Sequence, residues 1–159
     1  TTARAASTVP PYQGFGGGTL CVAWGKVTFD TDVTLAAALT VSMCKIPAGA
    51  TVVGGYVGGG DIDTGTEAFD FDAGWAANGG TGTYDAADPD GFGNFGVSSG
   101  DAITELIPVA GIYRPLQGVL LTNGPLTFTN ETTLQLIFNA DANAGGTGTV
   151  YMVVYYTTP

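Results

Sequence analysis

Apolar and polar residues alternate with period two along much of this chain, and that period predicts strands. The alternation is cleanest over residues 66–76. There Phe69, Phe71, Ala73 and Trp75 point one way and Ala68, Asp70, Asp72 and Gly74 the other. The pattern predicts a half-buried antiparallel strand with a wet acidic face. Residues 19–29, TLCVAWGKVTF, predict a second strand, with Leu20, Val22 and Trp24 on one face and Cys21, Ala23, Val27 and Phe29 on the other. Further strands are expected over 39–46, 50–57, Leu116–Leu121, Leu126–Thr129, Thr132–Ala140 and Thr147–Thr157. Gly54-Gly55 predicts a bulge or a close backbone approach within its strand. In TLQLIFNA, Leu134, Leu136 and Phe138 form the inward set. The last strand, TGTVYMVVYYT, is apolar on both faces, which predicts a central place in a sheet.

Between the strands lie Gly, Pro and Asp turns. Asn78 to Asp101 reads as a long loop, with a short helical turn at Gly91–Val97, and 33–38 as a second helical turn. Asp141–Gly146, DANAGG, reads as the turn of a hairpin joining the last two strands. About eight strands and almost no helix predict an all-β fold over residues 19–159. The expected form is an antiparallel two-sheet sandwich of jelly-roll or Greek-key type. Residues 1–18 break the pattern with Pro10-Pro11 and Gly16-Gly17-Gly18 and contain no acid. They predict an extended N-terminal arm, with Tyr12 and Phe15 as anchors for docking on a partner.

Charge changes the functional picture. There are 14 Asp+Glu, 4 Lys+Arg and no His, for a formal net charge of −10. Without His the usual proton carrier near neutral pH is missing, so an enzyme is not expected. Arg4, Lys26, Lys45 and Arg114 are too few and too scattered for a phosphate-binding surface, so nucleic acid is not an expected partner. No run of about 18 apolar residues predicts a membrane-spanning helix. Two Cys without His exclude the usual structural zinc sites within one chain. Cys21 and Cys44 sit in apolar runs, as buried thiols or as a single bridge.

Candidate chemistry is sparse. Asp61, Asp63 and Glu67, and separately Asp85, Asp88 and Asp90 with Gly91, resemble parts of a calcium loop, or are solvated turn residues. Asp70 and Asp72 lie roughly 7 Å apart on one strand face, a glycosidase-like spacing, but a fully wet pair has nothing to raise one pKa. Ser42-Met-Cys-Lys45 matches a serine–lysine spacing that needs a helix and falls in a strand. Gly58-Gly59-Gly60 lacks the Lys of a phosphate loop. Tyr151, Tyr155 and Tyr156 suit a subunit interface or a sugar platform, with interface favoured. No catalytic, cofactor-binding or metal-binding residue is assigned, and no cofactor is expected.

The runs KIPAGATVVGGYV (Lys45 to Val57), DIDTGTEAFDFDAGW (Asp61 to Trp75), YRPLQGVLLTNGPLTFTNETTLQLIF and NAGGTGTVYMVVYY resemble small structural proteins of tailed-bacteriophage virions. The resemblance implies a β-sandwich on the capsid exterior. It would be a decoration (cement) or minor capsid protein that binds the major capsid protein or other virion proteins, assembled in the host cytoplasm. A homo-oligomer, a trimer at a local threefold, is expected to cover the two-sided last strand. The alternative is a secreted carbohydrate-binding or fibre-type host-attachment module, calcium-dependent through Asp61 and Asp63.

Overall fold

The alternating segments pair as strands in two antiparallel sheets that enclose one core. The computed structural model describes residues 19–29, 39–59, 70–96, 112–140 and 148–158. The strands are β1 (Leu20–Phe29), β2 (Thr40–Ile46), β3 (Thr51–Gly59), β4 (Asp70–Trp75), β5 (Asp88–Gly96), β6 (Ile112–Pro115), β7 (Leu126–Thr127), β8 (Thr132–Ala140) and β9 (Gly148–Thr157). One helical turn, α1 (Val119–Thr122), interrupts them. The first sheet runs β1-β9-β3-β6, with β7 beside β3, and the second runs β2-β8-β4-β5. Most connections cross from one sheet to the other, which makes an all-β antiparallel sandwich.

Burial follows the pleat. Phe71, Ala73 and Trp75 of β4, Leu134, Leu136 and Phe138 of β8, and Val150, Met152 and Val154 of β9 all turn inward. Trp75 sits at the centre, with Phe92 at 5.0 Å and Phe128 at 5.3 Å between ring centroids. Its indole N–H donates to the Ala86 carbonyl at 2.9 Å, so its single polar atom is satisfied. Truncating a ring in such a place costs about 3–5 kcal/mol. As its two apolar faces require, β9 lies between β1 and β3. The register of β3 on β9 shifts between Val52 and Gly54, where the Gly pair predicts a bulge.

Three expectations are corrected. Residues 88–96 are not loop: β5 pairs along β4, with Phe71 opposite Phe95. Its Pro and Gly are tolerated because β5 is an edge strand whose pairing is interrupted, the partner passing from Gly93 opposite Ala73 to Asp88 opposite Trp75. Leu116–Leu121 is not a strand; the strand is β6, and Val119–Thr122 coils as α1 after Gly118. The segment after Ala140 is no hairpin turn, because β8 and β9 belong to different sheets. The arm at 1–18, the turn at 33–38 and the Asp61/Asp63/Glu67 group lie outside the described residues.

The sandwich has two distinct poles. Phe29 pairs with Gly148, Gly59 with Ile112, and Asp70 with both Gly96 and Ala140. Phe29 of one sheet meets Phe138 of the other at 5.7 Å, so these strand ends share a pole. The segments between these strand ends, 30–38, 60–69, 97–111 and 141–147, lie outside the described residues; in sequence they hold eight acids and no Lys or Arg. Leu20 pairs with Thr157 at the opposite pole, where the described part of the chain begins and ends.

Candidate interaction surface

The outer face of the first sheet is apolar across all four long-path strands. Along β1 the outward set is Leu20, Val22 and Trp24, exposed by 63%, 53% and 64%, followed by exposed Lys26 and Thr28 at its far end. The register carries this stripe onto β9, with Val22 opposite Tyr155 and Trp24 opposite Val153. It continues onto β3, where Tyr56 faces Val153, and onto β6, where Tyr113 faces Gly58. Tyr56 is the hub of the aromatic part, with Tyr113 at 5.4 Å, Tyr151 at 6.1 Å and Tyr155 at 6.3 Å. A Cβ on Gly58 would stand 2.7 Å from the Tyr151 ring, so the absence of a side chain there lets that ring lie flat on β3.

Acids are segregated from this face among the described residues, while Lys26 stands on it opposite Tyr151. The strands of the first sheet contain Lys26 and Arg114 and no Asp or Glu. The described acids are Asp70 and Asp72 on β4, Asp88 and Asp90 on β5, and Asp85 and Glu131 in neighbouring loops. A broad apolar face without like-charge repulsion, on a chain of net charge −10, has the character of a protein contact surface.

A scan of protein-family models gave no match, and neither did a search of curated proteins. Solved structures do match. A chain of the cyanophage Pam1 capsid asymmetric unit aligns at 23% identity and TM-score 0.65, covering 100% of both chains. A chain of the Ralstonia phage GP4 capsid aligns at 16% identity and TM-score 0.58, covering 91% of this chain and 86% of that one. A chain of the acidic stable capsid of Helicobacter pylori bacteriophage KHP30 aligns at 14% identity and TM-score 0.56, covering 87% of each. This is a phage-capsid fold. The likeness spans the sandwich as a whole and belongs to its architecture.

On this phage-capsid fold the acid groups separate. Asp85 is buried and does not join Asp88 and Asp90. Its carboxylate accepts from the backbone N–H of Gly82 at 2.5 Å and of Thr129 at 3.0 Å, from Asn78 Nδ2 at 2.7 Å, and from the Thr129 hydroxyl. These bonds, led by the Thr129 hydroxyl, hold its pKa down at about 2. The group is a clamp between loops 78–85 and 129–132, not a ligand facing outward. Asp88 is raised by burial and by its hydrogen bond and charge contact with Asp90.

The expectation of a fully wet β4 face also needs correction. Burial pushes the Asp72 carboxyl up, against hydrogen bonds to Asn139 and Asn94 that pull it down, and its Oδ1 is buried without a hydrogen-bond partner. The cause is crowding by β8 and β5 on either side of β4. Among the described residues no group of three His, Cys, Asp or Glu is placed to hold a metal ion. Ser42 and Lys45 lie on strand β2, and Lys45 is paired with Glu131 at 2.6 Å on the surface. Both cysteines are free, and burial pushes the Cys44 thiol up to about 11, which leaves it a packed and unreactive group.

Of the three tyrosines singled out by sequence, Tyr151 and Tyr155 face outward, while Tyr156 packs against the core. Tyr56, Tyr113 and the exposure of Trp24 were not anticipated. The signal was present in TLCVAWGKVTF, which is apolar on both faces as the last strand is.

Proposed function

We propose that this chain is a structural virion protein that binds the outside of a phage capsid and reinforces the shell. The observation that carries the proposal is the fold shared over 87–100% of the chain with components of three phage capsids. The charge supports an exterior position, since a body of net charge −10 is repelled by packaged DNA. The role is structural rather than catalytic. Its partners are the major capsid protein or neighbouring virion proteins, met after synthesis in the host cytoplasm. The pole where the chain enters β1 suits attachment, because the acid-free segment 1–18 leaves there with its Pro pair and the anchors Tyr12 and Phe15.

Purified protein mixed with particles assembled without it is expected to co-sediment at a fixed ratio and to raise the temperature at which the shells rupture. Deleting residues 1–18 is expected to weaken this binding at least about tenfold while circular dichroism stays unchanged. Failure to co-sediment, or turnover of any substrate, would overturn the role. Binding to a glycan panel with a calcium-dependent melting temperature would replace it with a carbohydrate-binding module.

A further inference from the structure

We infer that Asn123 is a site of spontaneous deamidation, and that Asn78, the other asparagine followed by glycine, is protected from the same reaction by the fold. The inference rests on local geometry and chemistry and not on the virion role.

The reaction needs no partner but water. The main-chain nitrogen of the residue after an asparagine gives up its proton and attacks the side-chain Cγ. A C–N bond forms, the Cγ–Nδ2 bond breaks, and Nδ2 leaves as ammonia with that proton. Water then opens the resulting succinimide ring at either of its carbonyls. One opening restores the ordinary main chain with aspartate, and the other routes the main chain through the side chain as isoaspartate. The net change is amide plus water to carboxylic acid plus ammonia, with no change of oxidation state. The attack is intramolecular, so its rate turns on how readily the two atoms reach each other. A side chain on the following residue hinders that approach, and glycine has none. Of Asn78, Asn94, Asn123, Asn130, Asn139 and Asn143, only Asn78 and Asn123 precede glycine.

The structure separates these two. The amide of Asn78 is held at both ends. Its Nδ2 donates to Asp85 Oδ1 and to Thr132 Oγ1, each at 2.7 Å, and its Oδ1 accepts from the Gly80 N–H at 2.8 Å. Its main-chain N–H donates to the Asp85 carbonyl at 3.0 Å. The leaving group is thus bonded into the Asp85 clamp, and turning Cγ toward the Gly79 nitrogen breaks those bonds together. Asn123 has no such hold. It is exposed at the C-terminal end of α1, and its side chain makes one long hydrogen bond, from Nδ2 to the Tyr84 hydroxyl at 3.4 Å.

The loop at Asn123 also has room to move. Gly124 has a φ of 84° and no heavy atom within 4 Å of an added Cβ. The main chain of Asn123, with φ −114° and ψ −13°, must turn before Cγ meets the Gly124 nitrogen, and the end of a single helical turn is where such local opening comes easiest. Conversion changes the surface. The amide that donates to Tyr84 becomes a carboxylate that accepts from it, and one negative charge joins a chain of net charge −10. The isoaspartate form also lengthens the main chain by a methylene between α1 and β7, a strand held to β3 by two residue pairs.

Peptide mass spectrometry of the native full chain, aged at body temperature and mildly alkaline pH, tests the site. The peptide containing Asn123 is expected to gain about 1 Da, as aspartate and isoaspartate forms that chromatography separates. It is expected to do so at least about tenfold faster than the peptide containing Asn78. The same chain aged in denaturant is expected to lose this difference, because both asparagines then precede glycine in an open chain. Asn123→Gln, whose extra methylene demands a larger ring, is expected to abolish the gain at that position. Asp85→Ala removes one partner of the Asn78 amide and is expected to speed the reaction at Asn78 while leaving Asn123 unchanged. An Asn123 that keeps its amide in the native chain overturns the inference, and so does an Asn78 that reacts as fast or faster. A difference that persists in denaturant overturns the protection by the fold. The native and denatured wild-type rates decide even if a variant misfolds.

Discussion

At the scale of single residues, Asp85 has the most to lose. A buried carboxylate survives by filling its acceptor sites, and here Asn78, Gly82 and Thr129 fill them. Asp85→Ala strands those donors in a closed pocket. It is expected to lower the melting temperature by about 5–10 °C at neutral pH, read by calorimetry. The pH dependence has a defined sign. The folded pKa of about 2 lies below the ordinary value of 3.8, so this stabilisation is complete above about pH 4 and lost as pH falls through 2. Asp72 and Asp88 are raised instead, so folding takes up protons there and stability gains as pH drops below neutrality. The melting temperature is therefore expected to rise slightly on mild acidification and to fall between about pH 4 and 2. Asp85→Asn should flatten the fall and leave the rise.

Between elements, close approach governs what the sequence tolerates. A Cβ on Gly25 would run into the Met43 carbonyl, where β1 and β2 close one side of the sandwich. Gly25→Ala is expected to cost about 2 kcal/mol or more, seen as a drop of about 5 °C in melting temperature. Gly54→Ala meets nothing within 4 Å and should change stability by less than about 0.5 kcal/mol. Strands with uninterrupted alternation, such as β4, β8 and β9, were legible because both sides of the pleat declare themselves in residue type. β5 was not. In Asp88–Gly96 the inward rings of Phe92 and Phe95 are three residues apart, which breaks period two. The register with β4 jumps between Ala73 and Trp75, and the bulge restores an inward direction that the sequence hides. Leu116–Leu121 failed for another reason: a short apolar run looks alike in a strand and in a helical turn. The contact face was half legible. Tyr151 and Tyr155 stood out by type, but the exposure of Trp24 depends on β1 being the outermost strand, which only pairing order reveals.

For the whole molecule, the organising fact is that acids and apolar surface occupy different places. The first sheet's strands have no acid, and the described acids lie on β4, β5 and the loops beside them. Such separation gives a small protein a preferred orientation on any larger body it joins, because rotating it would bring acids onto whatever the apolar face contacts. It also predicts a salt response. A face without acids loses little when salt screens charge, so binding of another protein through it should survive added salt, the reverse of a nucleic-acid binder.

The two tryptophans occupy opposite environments: Trp75 is 1% exposed at the centre of the core and Trp24 is 64% exposed on the rim strand. The native emission spectrum is consequently the sum of one dry indole and one wet indole. A soluble quencher such as acrylamide extinguishes the wet component and spares the dry one. The protein therefore carries, without any label, separate optical reporters for the integrity of its interior and for the occupancy of its surface.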